Sequence, residues 1–250
     1  MTAPGVRLDR DGPVATVTLH RPEVLNAHHI AMWTRLRRIG RELPGDVRVV
    51  VLRGEGRAFS AGIDLAEVRG PEFARLVRLP PDECAAQIAG YQEAFSWLRR
   101  PDLVTIAAVQ GHAIGAGFQL ALACDLRVLA DDAQLSMAEV TLGLVPDLGG
   151  TKRLVDLVGY ARALELCVTG RRLGAAEADR IGLASVVVPG ADLDAAVADL
   201  TAAVLAAPRD AVIEIKALLA GAGGRSYAEQ AAAEREAQTR RLRDLAGEGE

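Results

Sequence analysis

Cysteine is scarce in this 250-residue chain. Cys84, Cys124 and Cys167 are widely spaced, and no C-x-x-C pair occurs. A disulfide framework and a structural zinc site are therefore not expected, and the thiols read as buried and reduced in a cytoplasmic protein. Long apolar runs are also missing. Stretches such as 103–109 fall far short of the roughly 18–20 residues that a membrane span needs. The opening M-T-A-P-G-V-R-L-D-R contains no apolar signal core, so export is not expected. No basic run or stripe stands out and the formal net charge is −4. Neither a nucleic acid nor an anionic membrane is an expected partner. What remains is an ordinary globular composition, 50% apolar and 25% charged, long enough to bury one large core.

The patterning alternates between strand and helix. Val6–Leu8 and Val14–Leu19 flank a D-G turn and predict a β-hairpin. Trp33, Leu36, Ile39 and Leu43 mark one face of a helix within His28–Leu43. The β-branched run Val47–Leu52 predicts a buried strand, followed by a glycine-punctuated loop. Residues Ala66–Asp82, with Pro71, Pro80 and Pro81, show no clear period and are expected to form a mobile loop with room for a short helix. Cys84, Ile88, Tyr91, Phe95 and Leu98 recur at spacings of 4, 3, 4 and 3, which predicts an amphipathic helix. Further strands are expected at Leu103–Val109, Leu126–Ala130, Gln134–Met137 and Leu183–Val188. Further helices are expected at Ala116–Cys124, Gly150–Val158, Tyr160–Thr169 and Ala175–Ile181. Beyond Pro189-Gly190 the chain turns Ala-rich and helical, with breaks at Pro208 and Gly221–Gly224, and ends in G-E-G-E. These patterns divide the chain into an α/β core, 1–190, and a helical region, 191–250.

Three segments can carry chemistry. A-F-S-A-G-I-D-L (58–65) follows a strand and a glycine turn. Its backbone N–H groups can face an anion or a carbonyl oxygen, or the segment can be a plain tight turn. A-F-S-A-G also nearly fits a nucleophile elbow. However, all four histidines lie in the first half of the chain, where they suit a late general base poorly. G-H-A-I-G-A-G-F-Q-L (111–120) runs from strand through glycines into a helix. The dinucleotide pattern fails because Leu120 stands at its third glycine, and no Walker-type K-[ST] follows. A helix N-terminus that favours negative charge remains, or glycines that serve only close packing. In A-E-V-T-L-G-L-V-P-D-L-G-G-T (138–151), Glu139 and Asp147 are the only acids. Apolar surroundings would raise their pKa values and suit them to proton transfer. Otherwise Glu139 is a surface residue and Asp147 caps the helix starting near Gly150. His28 and His29 precede a helix and can cap it, and His112 reads as structural.

In this order and spacing, the segments resemble the enoyl-CoA hydratase/isomerase (crotonase) superfamily. R-P-E-V-L-N-A (21–27) resembles the family's R-P-x-x-x-N-A. A-F-S-A-G-I-D-L and G-H-A-I-G-A-G-F-Q-L-A-L-A-C-D-L resemble its two oxyanion segments, and L-G-L-V-P-D-L-G-G-T-K-R-L (142–154) resembles the stretch after its catalytic acid. The resemblance implies a ClpP/crotonase-like α/β fold, a spiral of ββα units with a C-terminal helical region that assembles trimers or dimers of trimers. It implies an acyl-CoA thioester substrate, with coenzyme A part of the substrate and no resident cofactor or metal. The N–H groups of Ile63 and Ala116 fall at the family's oxyanion-hole positions. Val24, Leu25, Ala27, Ala61, Asp64, Leu65 and Ala66 fall where the family lines CoA. Lys216 is a candidate for reaching a neighbour's CoA phosphates.

The chain departs from the hydratase pattern at one acid. Glu139 matches the second hydratase glutamate, but the first falls on Gln119, which cannot titrate and at most holds a water. Asp147 stands where hydratases often carry glycine and where some isomerases of the superfamily carry a proton-moving acid. The expected activity is therefore an isomerase-type proton shuttle between Glu139 and Asp147. The alternatives are a hydratase using Glu139 with Gln119 as water holder, and an acyl-CoA binder without turnover.

Overall fold

The computed structural model describes residues 5–247, so of the G-E-G-E tail only Gly247 is included. Strands β1 (Val6–Asp11) and β2 (Val14–Leu19) form an antiparallel hairpin in which Asp11 pairs with Val14. Gly12 takes φ +51 at the turn, directly before Pro13. A two-residue II′ turn needs that positive φ at its first central position. From β2 onward the large sheet is parallel, running through β3 (Val49–Gly54), β4 (Val104–Val109), β6 (Leu126–Ala130) and β9 (Val186–Val188). A smaller sheet joins β5 (His112–Ile114), β7 (Gln134–Ser136) and β8 (Leu173–Gly174). Parallel neighbours require crossovers, and helices supply them.

Both faces of the large sheet are covered, which is why its strands read as continuous β-branched runs. Val50, Leu52, Ala107, Val109 and Leu129 face the main core. The alternate residues Val49, Val51, Ile106, Ala108, Val128 and Ala130 pack against Leu193 and Val197 of helix α9 (Leu193–Ala206). Within the main core, α1 (Ile30–Glu42) crosses α4 (Pro81–Ser96), with Trp33 lying 5.1 Å from Tyr91 and 6.0 Å from Phe95 between ring centroids. Helix α5 (Ala116–Ala123) is buried on every side, so its sequence is apolar throughout, with Gln119 as the exception.

The segment expected as a loop is instead helical. It holds α2 (Leu65–Val68) and α3 (Pro71–Arg78), and α4 begins at Pro81. Pro71 and Pro81 open helices rather than breaking them, since the first helical position needs no N–H and suits the fixed φ of proline. The short strand β5 was not foreseen either.

The chain continues through α6 (Gly150–Val158), α7 (Tyr160–Thr169) and α8 (Ala175–Arg180). After α9, helices α10 (Arg209–Ala222) and α11 (Tyr227–Leu245) pair with each other and bury little beyond Ala237. A capping box of Ser226 and Glu229 starts α11. Among the described residues, no helix is long and apolar enough to cross a membrane.

Lys216 secures α10 to the core. Its ammonium donates to Asp125 Oδ2 at 2.7 Å and to the Leu103 carbonyl at 2.5 Å, while the same Asp125 oxygen accepts from the Thr105 N–H. The lysine is therefore committed within its own chain and is not available for a CoA phosphate. Lys216→Ala should lower stability by about 1.5–3 kcal/mol, the range for hydrogen bonds to charged groups. Urea unfolding should show a lower midpoint with an unchanged slope.

Candidate active site

The loops that leave β3 and β4 run side by side. The Phe59 N–H donates to Gln110 O at 2.8 Å, the Ser60 N–H to His112 O at 2.7 Å, and the Ile114 N–H back to Ser60 O at 3.0 Å. The R-P-E-V-L-N-A segment clamps this assembly. Leu25 and Asn26 both take positive φ, at 53° and 55°. That unusual turn aims the Asn26 amide at the Glu55 and Ala58 carbonyls, each at 2.8 Å. Ser60 Oγ donates to Asn26 O and accepts from the Gly62 N–H. These positioning roles of Asn26 and Ser60 escaped the sequence reading, although both residues lie inside the quoted motifs.

Ile63 is then held from both sides. The His28 N–H donates to Gly62 O at 2.6 Å, and the Asp64 N–H donates to His28 O at 2.8 Å. The Ile63 N–H itself has no acceptor among the described residues, and neither does the Ala116 N–H at the start of α5. The two amides are neighbours. Gly62, at φ +90, lies so close to the second loop that an added Cβ would sit 2.6 Å from Ile114 O and 3.7 Å from Ala116 N. Only glycine fits there, by both conformation and space.

Glu139 lies in a 3-10 turn, Ala138–Leu142, beside the start of α5. A Cβ added at Gly115 would lie 3.5 Å from Glu139 Oε1. That oxygen accepts from Gln119 Nε2 at 2.6 Å, while Oε2 is buried and unpartnered. Burial pushes the Glu139 pKa up, and Asp147 adds to the rise. Hydrogen bonds from its own N–H and from Gln119 oppose it. Burial also raises the pKa of Asp147. Asp147 does not cap α6, whose cap position is Gly149 with no side-chain bond. Gln119 does not offer its oxygen to water either, because Oε1 already accepts from the N–H groups of Leu148 and Gly150 at 2.9 and 3.2 Å.

Glu139, Asp147, Gln119, Ile63 and Ala116 all line one cavity of about 570 Å³. Ala61 and Leu65 line it too, whereas Val24, Leu25, Ala27, Asp64 and Ala66 do not. Asp64 uses its carboxylate on the Ala66 N–H and on Arg21, which holds its pKa below the ordinary range. The side chains of His28 and His29 serve the local fold. His28 is fully buried, accepts from Trp33 Nε1 at 3.1 Å, and stays neutral because burial lowers its pKa to about 3. His29 caps α1 through the Met32 N–H. His112 contributes its backbone to β5.

The family model for enoyl-CoA hydratase/isomerase matches residues 9–245. The chain belongs to the enoyl-CoA hydratase/isomerase family. It is 34% identical to the short-chain-enoyl-CoA hydratase of Clostridium acetobutylicum over 197 residues, which cover 75% of this chain and 70% of that protein. It is 52% identical to a proposed enoyl-CoA hydratase of Thermobifida fusca, solved with CoA (TM-score 0.90, covering 98% of this chain and 95% of that one) and with acetoacetyl-CoA (TM-score 0.91, covering 96% of each). An enoyl-CoA hydratase structure from Bacillus anthracis is 29% identical, with TM-score 0.84, covering 97% of this chain and 95% of that one. The fold is the crotonase fold, with its C-terminal helical region. Relatives in this family are mostly named hydratases, and none of these names favours an isomerase.

The raised pKa of Glu139 makes a stability prediction. The native state holds its proton more tightly than the unfolded chain does. Native stability therefore falls as pH rises from the ordinary glutamate value of 4.5 through the raised native value. Glu139→Gln removes that loss. The variant should match the wild type at acid pH and exceed it in melting temperature at neutral pH. Equal melting temperatures at both pH values would contradict the buried, costly carboxylate.

Proposed function

We propose that the chain is an acyl-CoA enzyme that stabilises a thioester enolate between the Ile63 and Ala116 N–H groups while Glu139 and Asp147 move the protons. One observation carries this reading. Two adjacent amides lack acceptors, and they share a cavity with two carboxyl groups whose pKa values are raised. Donors fixed in advance at a developing oxyanion are the largest single contribution in acyl chemistry of this kind.

The preferred reaction is a double-bond shift in a 3-enoyl-CoA. The thioester oxygen takes both N–H donors, which acidifies the α-carbon. Ionised Glu139 removes the α-proton through its unpartnered oxygen, giving a dienolate. Asp147 in its protonated form delivers a proton to the γ-carbon, and the electrons return to form the conjugated 2-enoyl-CoA. One proton leaves and one arrives, and the two acids then exchange a proton to reset. Gln119 orients Glu139 and takes no part in proton transfer. The hydratase names of the relatives favour a second reading, addition of water to a 2-enoyl-CoA by the same two acids. CoA itself would lie along Val24, Leu25, Ala27, Ala61, Asp64, Leu65 and Ala66. A trimer or dimer of trimers is part of the proposal. It is supported by exposed Tyr160, Leu164 and Val168, spaced by four along α7, and light scattering of a monomer would remove it.

Enoyl-thioester absorbance tests the reaction. Gain from a 3-enoyl-CoA supports the shift, loss from a 2-enoyl-CoA supports hydration, and neither signal overturns both. Glu139→Gln should abolish most turnover while saturated acyl-CoA binding stays within about threefold, because the charge acts mainly in the transition state. Asp147→Asn should cripple isomerisation more than hydration. Gly62→Ala displaces the Ile63 donor and should lower kcat by about 10²–10³.

A further inference from the structure

The cavity extends well beyond the amides and acids. About 570 Å³ in volume, it falls in the range of roughly 300–1,000 Å³ in which drug-sized ligands bury most of their surface. Its deep walls are apolar and aromatic: Trp33 and Tyr91, 6% and 9% exposed, with Ile88 from α4. Helix α3 supplies Phe73, Leu76 and Val77 on the outer side. Apolar lining continues to the mouth, where Leu65, Val77, Leu142 and Val145 remain 44–72% exposed. Outside the Gln119, Glu139 and Asp147 group, the polar lining side chains are Glu67, Glu72, Thr141 and the Tyr91 hydroxyl, and Glu72 and Thr141 are exposed. Most of the residues that the resemblance assigns to CoA lie outside this volume, so the space is on the acyl side of the thioester.

Trp33 is fixed in place. Its Nε1–H donates to His28 Nδ1 at 3.1 Å, and its ring packs on Tyr91 and Phe95. Burial keeps His28 neutral and therefore able to accept. A wall anchored in this way cannot collapse onto a short ligand. With a small acyl group, α3 and the 142–148 segment would face water across apolar surface.

We infer that the acyl group is large and apolar, either a chain well beyond four carbons or a ring-bearing equivalent, and that Trp33, Phe73 and Leu76 set this preference. The inference rests on the acyl-thioester reading above, and its test can fail separately from that reading. Glu139→Gln protein, which should bind without turnover, is titrated with butanoyl-, hexanoyl-, octanoyl-, decanoyl- and 3-phenylpropanoyl-CoA by calorimetry. Affinity should rise about fourfold per methylene from butanoyl to octanoyl, the equivalent of about 0.8 kcal/mol for each buried CH₂. A further rise with decanoyl marks a chain pocket, whereas 3-phenylpropanoyl above hexanoyl marks a ring pocket. Phe73→Ala and Leu76→Ala, both on partly exposed α3, should weaken octanoyl binding about tenfold each and leave butanoyl binding unchanged. Flat affinity across the series, or equal losses at both lengths, overturns the inference. Binding that follows chain length in an enzyme with no turnover would sink the proposed reaction and leave this inference standing.

Discussion

The Phe59 and Ser60 amides donate to Gln110 and His112, and Ile114 donates back to Ser60. This lacing of two loops, each leaving the end of a parallel strand, fixes the distance between the Ile63 and Ala116 amides. It leaves the Ile63 and Ala116 N–H groups without acceptors among the described residues. Asn26 and Ser60 act from below, and the contact of Gly62 with the 114–116 backbone closes the gap. The large sheet, covered on both faces, holds the strand ends from which these loops leave, and in the proposed reaction amides fixed in this way would need no reorganisation as charge develops.

The acids depend on the same arrangement. Glu139 lies beside the start of α5 because its 3-10 turn follows β7, which pairs with β5 directly before the helix. Gln119 reaches it from one turn into α5 and spends its own oxygen on the Leu148 and Gly150 amides. The residue that breaks the two-glutamate pattern is thus a fixed brace between three segments. Burial raises both carboxyl pKa values, a stability cost in the direction that the proposed proton transfer calls for.

Much of this was legible in the sequence. The 4-3-4-3 spacing in 84–98 located α4 because one face of that helix packs on α1. The β-branched runs located the parallel strands because both sheet faces are covered. The motif residues Ile63, Ala116, Glu139 and Asp147 do meet in one cavity. Other features were hidden for physical reasons. Helix α3 carries only a short apolar stripe, Phe73, Leu76 and Val77, which lines a cavity and buries no residue fully, and the prolines on either side of it mask the period. Prolines at helix starts look the same in sequence as prolines in loops. Strand β5 has three residues between two glycines, too few for a period. The role of Lys216 depends on Asp125, 91 positions away, and no local pattern reports such a pairing.

The central claim is that the two amides polarise a thioester oxygen. Infrared difference spectroscopy of a carbonyl-labelled acyl-CoA bound to the protein measures this directly. The account predicts a carbonyl stretch shifted to lower frequency than in water, because two fixed N–H donors lengthen the bond. A stretch at or above its value in water would contradict it.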